Sequence, residues 1–134
     1  MYKLEFIIQE LPPTINNTSY LHWAVKAQGI KAWKVKVLHA VGRNKPKAPL
    51  LMAKLTLTRH SAIQPDFDNL CHSFKSTIDG LKMAGVIYDD KFSIIGKSEY
   101  LWAKAPQKKG FISVKVEELP RVDLELEAKK ARMI

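Results

Sequence analysis

Residues 68–85 carry the clearest periodic signal in the chain. Taking about 100° per residue from Asp68, the side chains of Leu70, Cys71, Phe74, Ile78 and Leu81 fall within one apolar arc, which predicts an amphipathic helix with Asp68 as its N-cap and Gly85 as its stop. Lys75 and Asp79 return to within roughly 20° of Asp68 and His72 to about 40°, so these four share a polar stripe opposite the apolar arc. A helix of this kind folds only where other elements cover its apolar face, and the remaining patterns supply them.

Residues 2–9 read as a strand rich in Leu, Phe and Ile, stopped by Pro12, Pro13 and the turn formers Thr14, Asn16 and Asn17. From Ser19 to Val41 apolar residues recur at helical spacing, with Trp33, Val37 and Val41 preceded by Ile30; the other face is lysine-rich and Gly42 offers a C-terminal cap. A basic, proline-punctuated loop over 43–49 leads to a second strand, in which Met52, Ala53, Leu55 and Leu57 alternate with Lys54, Thr56 and Thr58. After the central helix come a short extended piece at 86–88, strands expected over 93–103 and 111–118 joined by a turn at 106–110, and a charged helix over 123–134. A chain of 134 residues is the length of one domain, and this order predicts the α+β class: a small mixed sheet with two main helices over 1–120, followed by a charged helical tail at 121–134.

Charge is distributed unevenly. The formal net charge is +9, and from Leu11 to Pro65 there are nine basic residues (Lys26, Lys31, Lys34, Lys36, Arg43, Lys45, Lys47, Lys54 and Arg59) and no Asp or Glu. The rest of the chain is close to balanced, so the positive half points to a polyanionic partner. A single cysteine, Cys71, excludes an intrachain disulfide and fits a reducing compartment. The apolar run at 6–8 is too short for a secretory signal or a membrane span, which makes the cytoplasm the expected location and excludes a membrane partner through that segment.

The acidic residues concentrate at Asp66 and Asp68, with Asp89 and Asp90 following one helix and a short strand later. In an extended stretch residues two apart point the same way, so Asp66 and Asp68 can face one hard cation such as Mg²⁺, which takes carboxylate oxygens and keeps several waters. The competing explanation is an N-cap plus ordinary turn aspartates. Lys75 can hold a phosphate or make an i,i+4 pair with Asp79. The four histidines are scattered and no cysteine pair exists, so nothing has zinc-site spacing. Trp23, Trp33, Trp102, Tyr20 and Tyr100 can stack on bases, although core packing or a dimer contact is the commoner fate of such residues.

The run Asp66-Phe67-Asp68-Asn69-Leu70, then Lys75, Asp79-Gly80-Leu81, Ala84-Gly85-Val86 and Asp89-Asp90, resembles the signature of RusA-type Holliday junction resolvases, small Mg²⁺-dependent homodimeric endonucleases. Leu11-Pro12-Pro13, Asn16-Asn17 and Tyr20 also resemble that family's N-terminal segment, so the likeness spans most of residues 11–95. Position by position it implies that Asp66, Asp68 and Asp90 are metal-binding catalytic carboxylates and Lys75 the catalytic lysine. Asp89 in place of Asp90, and His72 in place of Lys75, are the alternative alignments. The expected activity is resolution of four-way DNA junctions by paired nicks. The phosphate backbone would be gripped by the basic stretch, foremost Lys26, Lys31, Lys34, Arg43, Lys45 and Lys47. Two alternatives are a non-catalytic basic nucleic-acid-binding protein and a flap or fork nuclease with the same metal site.

Overall fold

The structure is a computed structural model and describes residues 1–12 and 23–120. Asn16, Asn17, Tyr20, His22 and the charged tail expected over 121–134 lie outside the described residues. The described elements are β1 (Lys3–Ile8), α1 (Trp23–Val41), β2 (Ala53–Ser61), α2 (Phe67–Ser73), α3 (Lys75–Met83), α4 (Phe92–Ile95), β3 (Glu99–Lys104) and β4 (Phe111–Glu118). The architecture is mixed α+β around one four-stranded sheet of order β1-β4-β2-β3, in which β4 pairs antiparallel with β1 and β2 while β2 and β3 run parallel. Among the described residues no helix is long and apolar enough to cross a membrane.

Strand alternation places one face of the sheet under the helices. In register, Leu4, Val116 and Leu55 form one inward row, and Phe6, Val114, Leu57 and Tyr100 form the next. These rows join Trp33, Val37, Val41, Phe74, Ile78 and Leu81 in a single apolar core. A third row, Ile8, Ile112, Arg59 and Trp102, has the same inward parity but puts a guanidinium where the pattern calls for a hydrocarbon. The core therefore ends in a polar region at the carboxyl ends of the parallel strands β2 and β3. Arg59 and Ser61 are buried there, and the Trp102 indole N–H donates to Ser61 Oγ at 2.9 Å.

α1 packs on α3 and β1, α2 lies against β3, and α4 against β2. The helix pair is held by a buried hydrogen bond from Trp33 Nε1 to Thr77 Oγ1 at 2.8 Å, and by an approach so close that a Cβ on Gly80 would lie 2.7 Å from Val37 Cβ. Past α3, Gly85 turns the chain at φ +78, and Leu50 N–H donates to Val86 O while Tyr88 N–H donates to Leu50 O. That bridge pins the segment leading to Asp89 and Asp90.

Four local expectations are corrected. The helix over 68–85 is interrupted at Phe74, whose ψ of 0° closes α2 before α3 begins. Ser73 Oγ donates to Leu70 O, the acceptor that a continuous helix would give to the Phe74 amide, and that amide turns to Cys71 O instead. The N-cap is Asp66 rather than Asp68. Residues 93–98 are not strand: α4 takes the start of the expected strand and β3 begins at Glu99. Ile30, expected on the packed stripe of α1, is 44% exposed, and the buried stripe is Trp33, Val37 and Val41.

The Gly80 contact reverses an ordinary rule. Alanine usually stabilises a helix by up to about 1 kcal/mol over glycine, yet here the added methyl collides with a fully buried valine. Gly80→Ala is expected to lower stability by about 1–3 kcal/mol in urea unfolding, and a Gly80→Ala protein as stable as the parent would refute the close approach.

Candidate functional site

The carboxyl end of β2 opens into a cavity of about 460 Å³, walled by Leu11, Arg59, Ser61, Asp66, Asn69 and Lys108 among others. Asp66 reaches it because the loop after β2 ends in extended backbone at that residue, with φ −60 and ψ 152. Its side chain makes no capping hydrogen bond, so the carboxylate is not consumed by the helix start; its backbone carbonyl accepts from Leu70 N–H at 2.9 Å. The extended run that would aim Asp66 and Asp68 alike stops at Asp66. Asp68 is already in the first turn of α2, exposed, and its Oδ1 accepts from the Asn69 amide at 3.0 Å.

Lys75 begins α3, and the break at Phe74 re-aims it. Its ammonium donates to Asp79 Oδ1 at 3.2 Å and to Asp90 Oδ2 at 3.0 Å, so one lysine joins the helix to the aspartate pair fifteen residues on. The bonds to Asp90 and then Asp79 raise its pKa above the ordinary lysine value. Asp89 is served by a different cation: Lys82 Nζ lies 3.0 Å from its Oδ1, and Lys91 lies 3.9 Å from Oδ2. The Lys82 hydrogen bond, followed by that of the Asp90 amide, lowers the Asp89 pKa to about 2. Lys82 went unread in the sequence although it stands two helical turns after Lys75, the spacing that returns a side chain to the same face.

The structure thus gathers Lys75, Asp79 and Asp90 in one cluster and Lys82 with Asp89 in an adjoining one, while Asp66 stands on the cavity wall. Among the described residues no three His, Cys, Asp or Glu side chains are grouped so as to hold a metal ion. The donor chemistry nevertheless suits a hard cation. Asp66 and Asp68 are exposed carboxylates, Asp66 without a capping bond and Asp68 holding only the Asn69 amide, and Mg²⁺ needs one or two protein carboxylates when phosphate oxygens and waters complete its shell. His72 is exposed on α2.

Of the basic residues expected to grip a polyanion, Lys31, Arg43, Lys45 and Lys47 are exposed and Lys26 and Lys34 half-buried. Lys36 and Lys54 are ion-paired with Glu10 and Glu99. Trp33 is a core residue and Tyr100 and Trp102 pack against the core, whereas Trp23 is 74% exposed on α1. Arg59 behaves unlike the other eight: it is 5% exposed, donates from Nη1 to Pro12 O at 2.8 Å, and burial lowers its pKa from the ordinary arginine value. The signal that finds it is its register: it occupies the inward parity set by Leu55 and Leu57.

The two ion-paired clusters respond to pH with opposite signs. Asp89 has a folded pKa below its unfolded value, so its contribution is present at neutral pH and fades as pH falls toward about 2. Lys75 has a folded pKa above its unfolded value, so its contribution is present at neutral pH and fades as pH rises through that raised value. A ¹³C NMR titration is expected to find Asp89 titrating at about 2, and Lys82→Met to move it back toward the ordinary carboxylate range. An Asp89 value unaffected by Lys82→Met would refute the pairing.

No protein-family model matches the chain, and no curated protein matches its sequence.

Proposed function

We propose that the protein is a Mg²⁺-dependent, structure-selective DNA endonuclease, working in the cytoplasm as a homodimer, that resolves four-way junctions by paired symmetric nicks. The observation that carries this reading is Lys75, bonded at once to Asp79 and Asp90 at the start of α3, one residue beyond the break that separates it from the helix holding Asp68. A cation set among carboxylates beside a strongly basic stretch suits a phosphodiester, whose negative charge grows during displacement. The resemblance of residues 66–90 to RusA-type resolvases adds the substrate, and a two-fold enzyme suits a two-fold junction.

In this reading Asp66, Asp68 and Asp90 would hold the metal, which when bound supplies Lewis-acid polarisation of the phosphate and a more acidic water. Asp90 is committed to Lys75 in the structure described, so it would exchange that partner on joining the metal site. Lys75, released from Asp90, would meet the charge developing on the phosphate oxygens. The exposed lysines of α1 and of the 43–47 loop would supply salt-dependent, sequence-independent affinity.

One observation favours the non-catalytic reading: three of the aspartates, Asp79, Asp89 and Asp90, are already satisfied by lysines. The two readings separate in a single assay. Purified protein with Mg²⁺ is given a labelled four-way junction, a flap and a linear duplex. Symmetric nicks confined to the junction, abolished by EDTA, are expected. Asp66→Asn, Asp68→Asn and Asp90→Asn should each reduce cleavage by about 100-fold or more with DNA binding retained. Full activity in all three overturns the nuclease reading, and cutting of the flap instead reassigns the substrate.

A further inference from the structure

The cavity at the end of β2 is walled by a charge that has no acidic counterpart among the described residues. Arg59 is 5% exposed, and among the described residues no carboxylate lies within ion-pairing distance of it. The Pro12 carbonyl takes a hydrogen bond from Nη1, while a guanidinium has five N–H donors in a planar fork. A buried cation of this kind is ordinarily paired, and a cavity wall is where an external anion can do the pairing.

The rest of the wall has matching chemistry. Lys108 lines the cavity from the turn between β3 and β4, with backbone at φ +65, a left-handed conformation that lysine rarely adopts. Gly110 closes that turn; a Cβ there would fall 2.4 Å from Leu11 Cδ1 and 3.1 Å from the His60 carbonyl, so a side chain at this position would have to displace Leu11 from the rim. Asn69 and Gln64 add amides. Among the described residues Asp66 is the one acidic residue on the wall, so with Arg59 and Lys108 the described lining carries one net positive charge. That balance suits a monoanionic phosphodiester better than a dianionic free phosphate.

The geometry points to a phosphate-binding subsite in which the Arg59 fork and Lys108 seat one backbone phosphate of a nucleic-acid strand, beside Asp66. It deepens the reading of the protein as a DNA-processing enzyme and rests on that reading for the choice of strand. Arg59 here is a fixed contact inside the fold, distinct from the diffuse surface charge of α1.

The test is fluorescence anisotropy with a labelled four-way junction in EDTA, where no cleavage is needed. Arg59→Gln is expected to weaken binding on the order of fivefold and to lower the salt slope by about one. Lys108→Asn removes the second cation with a residue that accepts the left-handed backbone. It is expected to weaken binding by about threefold with an unchanged or raised melting temperature. Lys109→Gln, the same charge loss one residue outside the lining, sets the bulk electrostatic effect and should fall short of both. Binding by Lys108→Asn equal to that of Lys109→Gln overturns the subsite, as does a folded Arg59→Gln protein with unchanged affinity and slope; if Arg59→Gln fails to fold, Lys108→Asn decides. Thymidine 5′-monophosphate should not displace the junction at micromolar concentration; displacement there assigns the cavity to a free nucleotide and overturns the strand assignment. Because these readouts are taken without Mg²⁺, their failure leaves the cleavage assay intact, and absence of cleavage leaves Arg59-dependent binding intact.

Discussion

The position of α3 against α1 governs the acidic face of this molecule. Gly80 lets the two helices approach until Val37 occupies the space a methyl on residue 80 would need, and the buried Trp33–Thr77 hydrogen bond fixes their rotation. With α3 anchored on that side, its other side must carry Lys75, Asp79 and Lys82. The Gly85 turn and the Leu50–Ile87 bridge then bring Asp89 and Asp90 back along the same face. Close packing inside the fold thus becomes electrostatic order outside it, since Lys75 could not reach Asp90, nor Lys82 reach Asp89, if α3 were displaced by one side-chain layer.

Much of this was legible in the sequence because it rests on period. Leu55 and Leu57 in β2, and Ile112, Val114 and Val116 in β4, alternate as half-buried strands should, and β4 occupies the expected residues. The helix stops at Gly42 and Gly85 follow from their positive φ, which glycine adopts without penalty. What was not legible depends on competition between near-equal local options. Nothing in Ser73-Phe74 is a helix breaker, yet one hydroxyl diverting one carbonyl accompanies the split of the helix, while the cap at Asp66 rather than Asp68 follows separately from where the extended backbone ends. Ile94 is buried, but in a single helical turn rather than the strand its β-branched neighbourhood suggested. The short span between Lys91 and Glu99 leaves an apolar pattern too brief to discriminate two periods.

The candidate site divides in the same way. Residue types and spacing single out Asp66, Asp68, Lys75 and the Asp89–Asp90 pair as candidates, because acidic pairs flanking an amphipathic helix are visible in one dimension, whereas the choice of Asp90 over Asp89 rests on the family resemblance alone. Which cation serves which acid was not visible there: Lys75 is shared by Asp79 and Asp90, while Asp89 takes Lys82. That partition depends on the angle at which α3 leaves Phe74, a tertiary quantity. Arg59 was counted in the sequence as one positive charge among nine, when its parity within β2 already placed it inward. Counting charges conceals what alternation reveals.

The net charge of +9 consequently describes two different electrostatic devices. Eight of the nine cations between Leu11 and Pro65 are exposed or half-buried, in high-dielectric surroundings where salt screens them and where, in the proposed function, they would confer affinity without position. The ninth, Arg59, stands within the inward row Ile8-Ile112-Arg59-Trp102, where screening is weak and the planar fork has a fixed direction. A hydrocarbon at that position would complete the apolar row and spare the cost of burying a guanidinium. A charge at this inward position on the wall of the Asp66 cavity gives up core stability for direction, and in the proposed phosphate subsite that direction would hold the bound group in register with nearby carboxylates.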